Sequence, residues 1–155
     1  MTWKAAYADY FAARAAALRR LGYGLCGDWH LAEDLVQQTF LQLYKHWRRI
    51  EPSTVDAYAR RTLVNAYLSH RRARKRETVV ADVPERPADP TPGVDVDIRR
   101  ALDALPPRQR ALVVLRHLED ISVAEAADIL GIAEGTVKSQ TAHGLAKLRL
   151  SLQGD

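Results

Sequence analysis

The sequence predicts an all-α fold of two small helical domains joined by a Pro-rich, acidic linker, with the C-terminal domain a helix-turn-helix. Three observations carry this. Apolar residues recur at helical spacing over most of the chain, and no segment alternates as a strand would. Between residues 78 and 94 the run TVVADVPERPADPTPGV places Pro84, Pro87, Pro90 and Pro92 among acids with no helical period, which is linker composition. Residues 122–149, SVAEAADILGIAEGTVKSQTAHGLAKLR, form two helical stretches broken at Gly131. The expected domains are therefore 1–77 and 95–155, with 78–94 as a flexible tether.

In the N-terminal half three helices are expected. The first runs from about residue 3 to 21 behind Thr2 as cap, with Tyr7, Phe11, Leu18 and Leu21 along one side and an alanine-rich composition that favours helix. Asp28 opens the second, with Glu33 and Asp34 near the positive end of the helix dipole, and Val36, Phe40, Leu43 and Trp47 form its apolar stripe to about residue 49. The third begins at Ser53, where Ser53 and Asp56 resemble a capping pair after Pro52, and continues through Tyr58, Leu63 and Leu68 into a basic run.

Past the linker, a short helix spans 95–105 and stops at Pro106, while Pro107 suits the first position of the next helix because its missing amide proton would be unpaired there anyway. That helix holds Ala111, Leu112, Val114, Leu115 and Leu118 and hands over to the helix-turn-helix. Ser122 and Glu125 then make an SxxE capping box, with Ala124, Ala127, Ile129 and Leu130 as the apolar stripe that follows. The last helix starts near Glu134, turning Val137, Leu145 and Leu148 inward and leaving Thr136, Lys138, Ser139, Gln140 and His143 outward. Those are residue types that touch phosphates and read groove edges, so the segment points to DNA.

The charge distribution agrees. The net charge is only +4, but residues 60–76 hold seven Lys or Arg and no acid. Such a run on one helix is costly unless a polyanion lies opposite. No apolar run reaches membrane-span length and the N-terminus lacks a secretory pattern, so the chain is expected in the cytoplasm. A single cysteine, Cys26, excludes an internal disulfide and a thiolate-rich zinc site, and is expected to be a small buried residue at a helix end. His30, His46, His70, His117 and His143 are scattered, with no HExxH, Gly-rich phosphate loop or paired carboxylates, so no catalytic residue, cofactor or metal is expected.

Three segments, in order, resemble the extracytoplasmic-function sigma factors of bacterial RNA polymerase, and the alanine and arginine bias with the SQTAHGLAKLR ending looks most like short, two-domain actinobacterial members. AEDLVQQTFLQLY, residues 32–44, resembles the helix that binds the polymerase clamp, which implies Asp34, Gln37, Gln38 and Leu41 as core-polymerase contacts; Gln38 stands where the family usually has Glu. YARRTLVNAYLSHRRARKRE, residues 58–77, looks like the −10 reading and melting region, which implies Tyr58, Arg61, Asn65, Arg71, Arg72, Arg74 and Lys75 at the DNA, with Asn65 at a flipped-out base. Tyr58 and Tyr67 are each either stacking residues or core. ALPPRQRALVVLRHLEDIS with GTVKS further on resembles the −35 domain, which implies Arg116, Thr136, Lys138, Ser139, Gln140, Ala142 and His143 as contacts. Gln140 and His143 replace arginines of many members, which leaves fewer fixed cations; Gln140 is suited to an adenine edge.

The resemblance implies a subunit that binds core polymerase and directs promoter-specific initiation. Its partners would be core polymerase, promoter DNA and, as in many members, an anti-sigma protein. A stand-alone dimeric helix-turn-helix regulator explains the C-terminal half equally well, but leaves the clamp-like helix and the basic run without a purpose.

Overall fold

The computed structural model describes residues 2–81 and 96–153, with backbone alone for 78–81. The Pro-rich stretch expected to be a linker falls, from residue 82 on, outside the described residues. Among the described residues seven α-helices follow one another: α1 (Trp3–Cys26), α2 (Trp29–His46), α3 (Val55–Ala81), α4 (Val96–Asp103), α5 (Pro107–Val113), α6 (Val123–Leu130) and α7 (Glu134–Gln153). Two short 3₁₀ turns, Trp47–Arg49 and Pro52–Thr54, link α2 to α3, and no strand occurs among the described residues.

The caps show where local chemistry set the boundaries. Thr2 accepts the Ala5 amide, and Asp28 accepts those of His30 and Leu31. Gly27 and Gly131 end α1 and α6 with φ of 72° and 65°, a left-handed conformation that costs a residue without Cβ nothing. Helix α1 therefore runs to Cys26 rather than 21, because nothing before Gly27 breaks it. The acids of α2 lie beyond its first turn, so Asp28 alone serves its N-terminus. Ser53 and Asp56 are not a capping pair: Ser53 sits in a 3₁₀ turn, and Asp56 accepts the Tyr10 hydroxyl at 2.7 Å with Arg14 Nε 3.1 Å from the same oxygen.

Helices α1, α2 and α3 pack together, and α4 to α7 form a second group around α7. The two groups are not separate. A single core holds Leu18, Leu21, Leu25, Leu35, Leu43, Leu63 and Tyr67 from the first together with Ala111, Val114, Leu115 and Ile129 from the second. Helix α5 and its continuation are the reason. Ala111, Val114 and Leu115 face α1 and α3; Leu112 packs with Ala126, Ala127 and Val137; Val113 packs with Leu102 and Leu105. A helix apolar on every side has to be buried on every side.

Past Val113 the helix widens into a π turn, Val114–Leu118, closed by the Glu119 amide on the Val114 carbonyl at 3.0 Å. Asp120 then takes a φ of 56°, and the chain turns into α6. The wider turn rotates Leu118 outward, and this apolar residue is 61 % exposed. Phe11 and Ala124 are likewise exposed, and Ala126 takes the buried place on α6. Only half of the capping box forms: Ser122 accepts the Glu125 amide at 3.0 Å, while the Glu125 carboxylate turns away to Arg60.

Candidate nucleic-acid and polymerase interface

Helix α2 divides cleanly. Leu35, Val36, Thr39, Phe40 and Leu43 are buried, with the Thr39 hydroxyl satisfied by the Leu35 carbonyl at 2.8 Å. Asp34, Gln37, Gln38 and Leu41 project to solvent, Leu41 being 60 % exposed. Between this face and α3 runs an open groove of about 540 Å³, lined by Gln38, Leu41 and Lys45 on one side and Asn65 and Ser69 on the other. The groove brings two of the expected clamp contacts, Gln38 and Leu41, and the expected base-contacting Asn65 onto one surface, and adds Gln42 and Lys45, while Asp34 and Gln37 lie outside it.

The open question resolves for Tyr67. Tyr67 is fully buried in the core, and its hydroxyl is held protonated by that burial; Tyr58 is half-buried against the same core. The basic residues of α3 separate into two kinds. Arg72 and Lys75 are exposed, Arg72 bonding Ser69 at 3.1 Å, whereas Arg71 and Arg74 are half-buried beside His70. Burial, then Arg74 and Arg71, lowers the His70 imidazole below its ordinary value.

On α7, Lys138, Ser139, Ala142 and His143 are exposed on one face, opposite buried Val137, Thr141 and Gly144. Thr136 and Gln140 are half-buried. Gln140 accepts a hydrogen bond from the Gln109 amide at 3.0 Å, so it braces α5 against α7 and would have to release that bond to read a base. Arg116 donates to the Ile121 carbonyl and fixes the turn into α6. Helix α7 can sit close to α5 because Gly144 has no side chain: a Cβ there would lie 2.9 Å from a Val113 methyl.

What the sequence reading missed is the contact between the halves. Arg60 grips Glu125 with two hydrogen bonds of 2.6 and 2.8 Å, and Arg61 lies 3.9 Å from Asp128. Arg99 donates to the Tyr23 and Gly24 carbonyls at 3.0 and 3.1 Å and pairs with Asp103 at 2.7 Å. Arg110 donates to the Leu25 carbonyl at 3.0 Å and to the carbonyls of Asp103 and Leu105. The last turn of α1 has no basic residue of its own, and two arginines of the second half donate to its final carbonyls and oppose its dipole. The apolar run 111–115 was the available signal, since an all-apolar stretch needs cover on every side.

Residues 11–77 match the family described as Sigma-70 region 2, and residues 95–148 match Sigma-70, region 4. The RNA polymerase sigma-E factor of Streptomyces coelicolor is 38% identical across 94% of this chain and 85% of its own length. The ECF RNA polymerase sigma factor SigE of Mycolicibacterium smegmatis is 37% identical across 84% of this chain and 55% of that longer protein. The chain belongs to the extracytoplasmic-function sigma factors of bacterial RNA polymerase. The fold of this sigma factor is also that of the sigma factor RpoE from Bartonella quintana, solved in complex with the anti-sigma factor NepR, with a TM-score of 0.82, 28% identity and coverage of 96% and 98% of the two chains. It binds core polymerase and directs promoter-specific initiation through −10 and −35 element recognition, and the reading as a stand-alone dimeric regulator falls. No helix among the described residues is long and apolar enough to cross a membrane, and no cluster of His, Cys, Asp and Glu there is fit to hold a metal ion.

Proposed function

We propose that this sigma factor engages the polymerase clamp through Asp34, Gln37, Gln38 and Leu41 and the −10 element through Tyr58, Arg61, Asn65, Arg71, Arg72, Arg74 and Lys75. Its −35 contacts are Arg116, Thr136, Lys138, Ser139, Gln140, Ala142 and His143. The observation that carries this is the groove shared by α2 and α3, in which Gln38 and Leu41 face Asn65. A partner docked on α2 thereby lies beside any base held at Asn65. The functional units are 1–77 and 95–155 with 78–94 between them, and the protein acts in the cytoplasm without catalysis of its own.

In the packed arrangement Asp128 lies against Arg61, a residue assigned to DNA, and Glu125 holds its neighbour Arg60. The packed form is then a resting state, and α6 leaves α3 when both promoter elements are bound. Tethering makes the second DNA contact intramolecular once the first has formed. An anti-sigma protein, as described for the Bartonella sigma factor, is the matching regulator.

The test is co-elution with sigma-free core polymerase. Asp34→Lys reverses an exposed charge that supports no packing, so it should abolish core binding and leave the thermal unfolding midpoint unchanged. Undiminished core affinity in that variant would show that α2 docks by another face.

A further inference from the structure

The side-chain bond between Gln109 of α5 and Gln140 of α7 is not what packing alone would select. Gln109 donates its amide to Gln140 Oε1 at 3.0 Å, while its own Oε1 is buried with no hydrogen-bond partner among the described residues. A buried amide left half-satisfied is destabilising relative to an apolar side chain of similar shape, so leucine would suit the position better. The backbone nevertheless brings the two glutamines together. At Gly144, one turn beyond Gln140, α5 comes so close that a Cβ would lie 3.6 Å from both the Cβ and the carbonyl oxygen of Gln109.

Gln140 stands at the border of the exposed face of α7. Thr136, Gln140 and His143 follow one another at helical spacing, with Lys138, Ser139 and Ala142 exposed beside them. A glutamine reads an adenine edge in the major groove with both ends of its amide, the oxygen accepting from N6 and the nitrogen donating to N7. Here the oxygen is held by Gln109. Turning the Gln140 amide to an adenine breaks that bond and strands both polar atoms of Gln109 in the seam between α5 and α7.

We infer that Gln109 is a specificity-determining positioning residue for the −35 element: by holding the Gln140 oxygen, it handicaps adenine at the base pair that Gln140 faces. The inference rests on the reading of α7 as the −35 helix with Gln140 among its contacts, and deepens it. The handicap is the net worth of one neutral hydrogen bond, about fivefold in affinity.

Selection from a promoter library tests this. Holoenzyme, made from the full chain and sigma-free core polymerase, is mixed with promoter-length duplexes randomised across the −35 and −10 segments, and the bound pool is sequenced. Wild type is compared with Gln109→Leu, Gln109→Asn, Gln140→Ala and the double variant Gln109→Leu with Gln140→Ala. Leucine fills the volume of Gln109, and asparagine keeps its polarity but falls one methylene short of Gln140, so each frees the oxygen. Both should enrich adenine about fivefold at one −35 position and leave the −10 preference unchanged, and the enrichment should vanish in the double variant. Gln109→Leu should not lower the thermal unfolding midpoint, because it removes the unmatched oxygen. Unchanged preference in both Gln109 variants, with Gln140→Ala still altering one −35 position, would sink the inference and leave Gln140 as a contact. Enrichment that persists in the double variant would show that Gln109 acts on the helix and not through Gln140, which also overturns it. No effect of Gln140→Ala at any −35 position would remove Gln140 from the contacts, and the inference with it.

Discussion

Glu125→Gln removes one charge from the contact between α6 and α3 while preserving the shape of the side chain. The backbone amide of Glu125 still reaches Ser122, so the N-cap of α6 survives. What goes is a forked pair of charged hydrogen bonds, 2.6 and 2.8 Å long, between side chains that are 18% and 25% exposed. Glutamine accepts from one of the two Arg60 N–H groups but presents its own amide hydrogens to the other. One charged hydrogen bond in such a site contributes about 1.5–3 kcal/mol, and with the remaining exposure about 2 kcal/mol is the expected loss. That moves the balance between parted and packed halves by roughly 30-fold. The assay is urea unfolding of Glu125→Gln, Arg60→Gln and the double variant, read as a double-mutant cycle. The double variant should be little worse than either single one, with a coupling of about 1.5–2 kcal/mol. Coupling below about 0.5 kcal/mol would mean that the pair contributes nothing to holding the halves together, and the resting-state reading would lose its main support. If parting precedes polymerase binding, Glu125→Gln should also bind core more tightly than wild type.

Other consequences are open to direct measurement. Arg99→Met removes the guanidinium that bonds the Tyr23 and Gly24 carbonyls, of which Tyr23 keeps the Gly27 amide, and leaves Asp103 to Arg110 alone, so stability should fall by about 2–4 kcal/mol in denaturant, with faster amide exchange at the end of α1. Cys26, with its pKa pushed from 9.0 to about 11, should be alkylated about 100-fold more slowly at pH 8 than an ordinary thiol. The sign for stability follows from the same shift: the contribution of the buried thiol is complete below pH 9 and is lost as the pH rises towards 11. Gly144→Ala gains about 1 kcal/mol of helix propensity but drives a Cβ to 2.9 Å from a stiff Val113 methyl, so the net effect should be destabilisation by about 1–2 kcal/mol, seen as a lower thermal midpoint.

Much of the chain was legible residue by residue. The caps at Thr2, Asp28 and Ser122 and the left-handed glycine at 131 act through bonds to neighbours two to four positions away, so their effect is written where they stand. The division of α2 into a buried and a polar face follows from period alone, and the exposed −35 face of α7 does too. The errors fell where a distant group competed for the same atoms. Glu125 was expected to close a local capping box, but an arginine 65 positions away offers a stronger, charged partner than the Ser122 backbone amide. Asp56 was claimed in the same way by Tyr10 and Arg14. Leu118 carried the right period for the core until the π turn shifted the register.

The sequence by itself determined the helices, their caps and the family, because these depend on short-range spacing and on motifs that keep their order along the chain. Only the tertiary structure decided that the two halves share one core and that Arg60, Arg99 and Arg110 hold them together. Charge and apolar period say which residues need a partner; which partner each one finds depends on what the fold brings within about 3 Å, and hydrogen bonds fall away beyond that range.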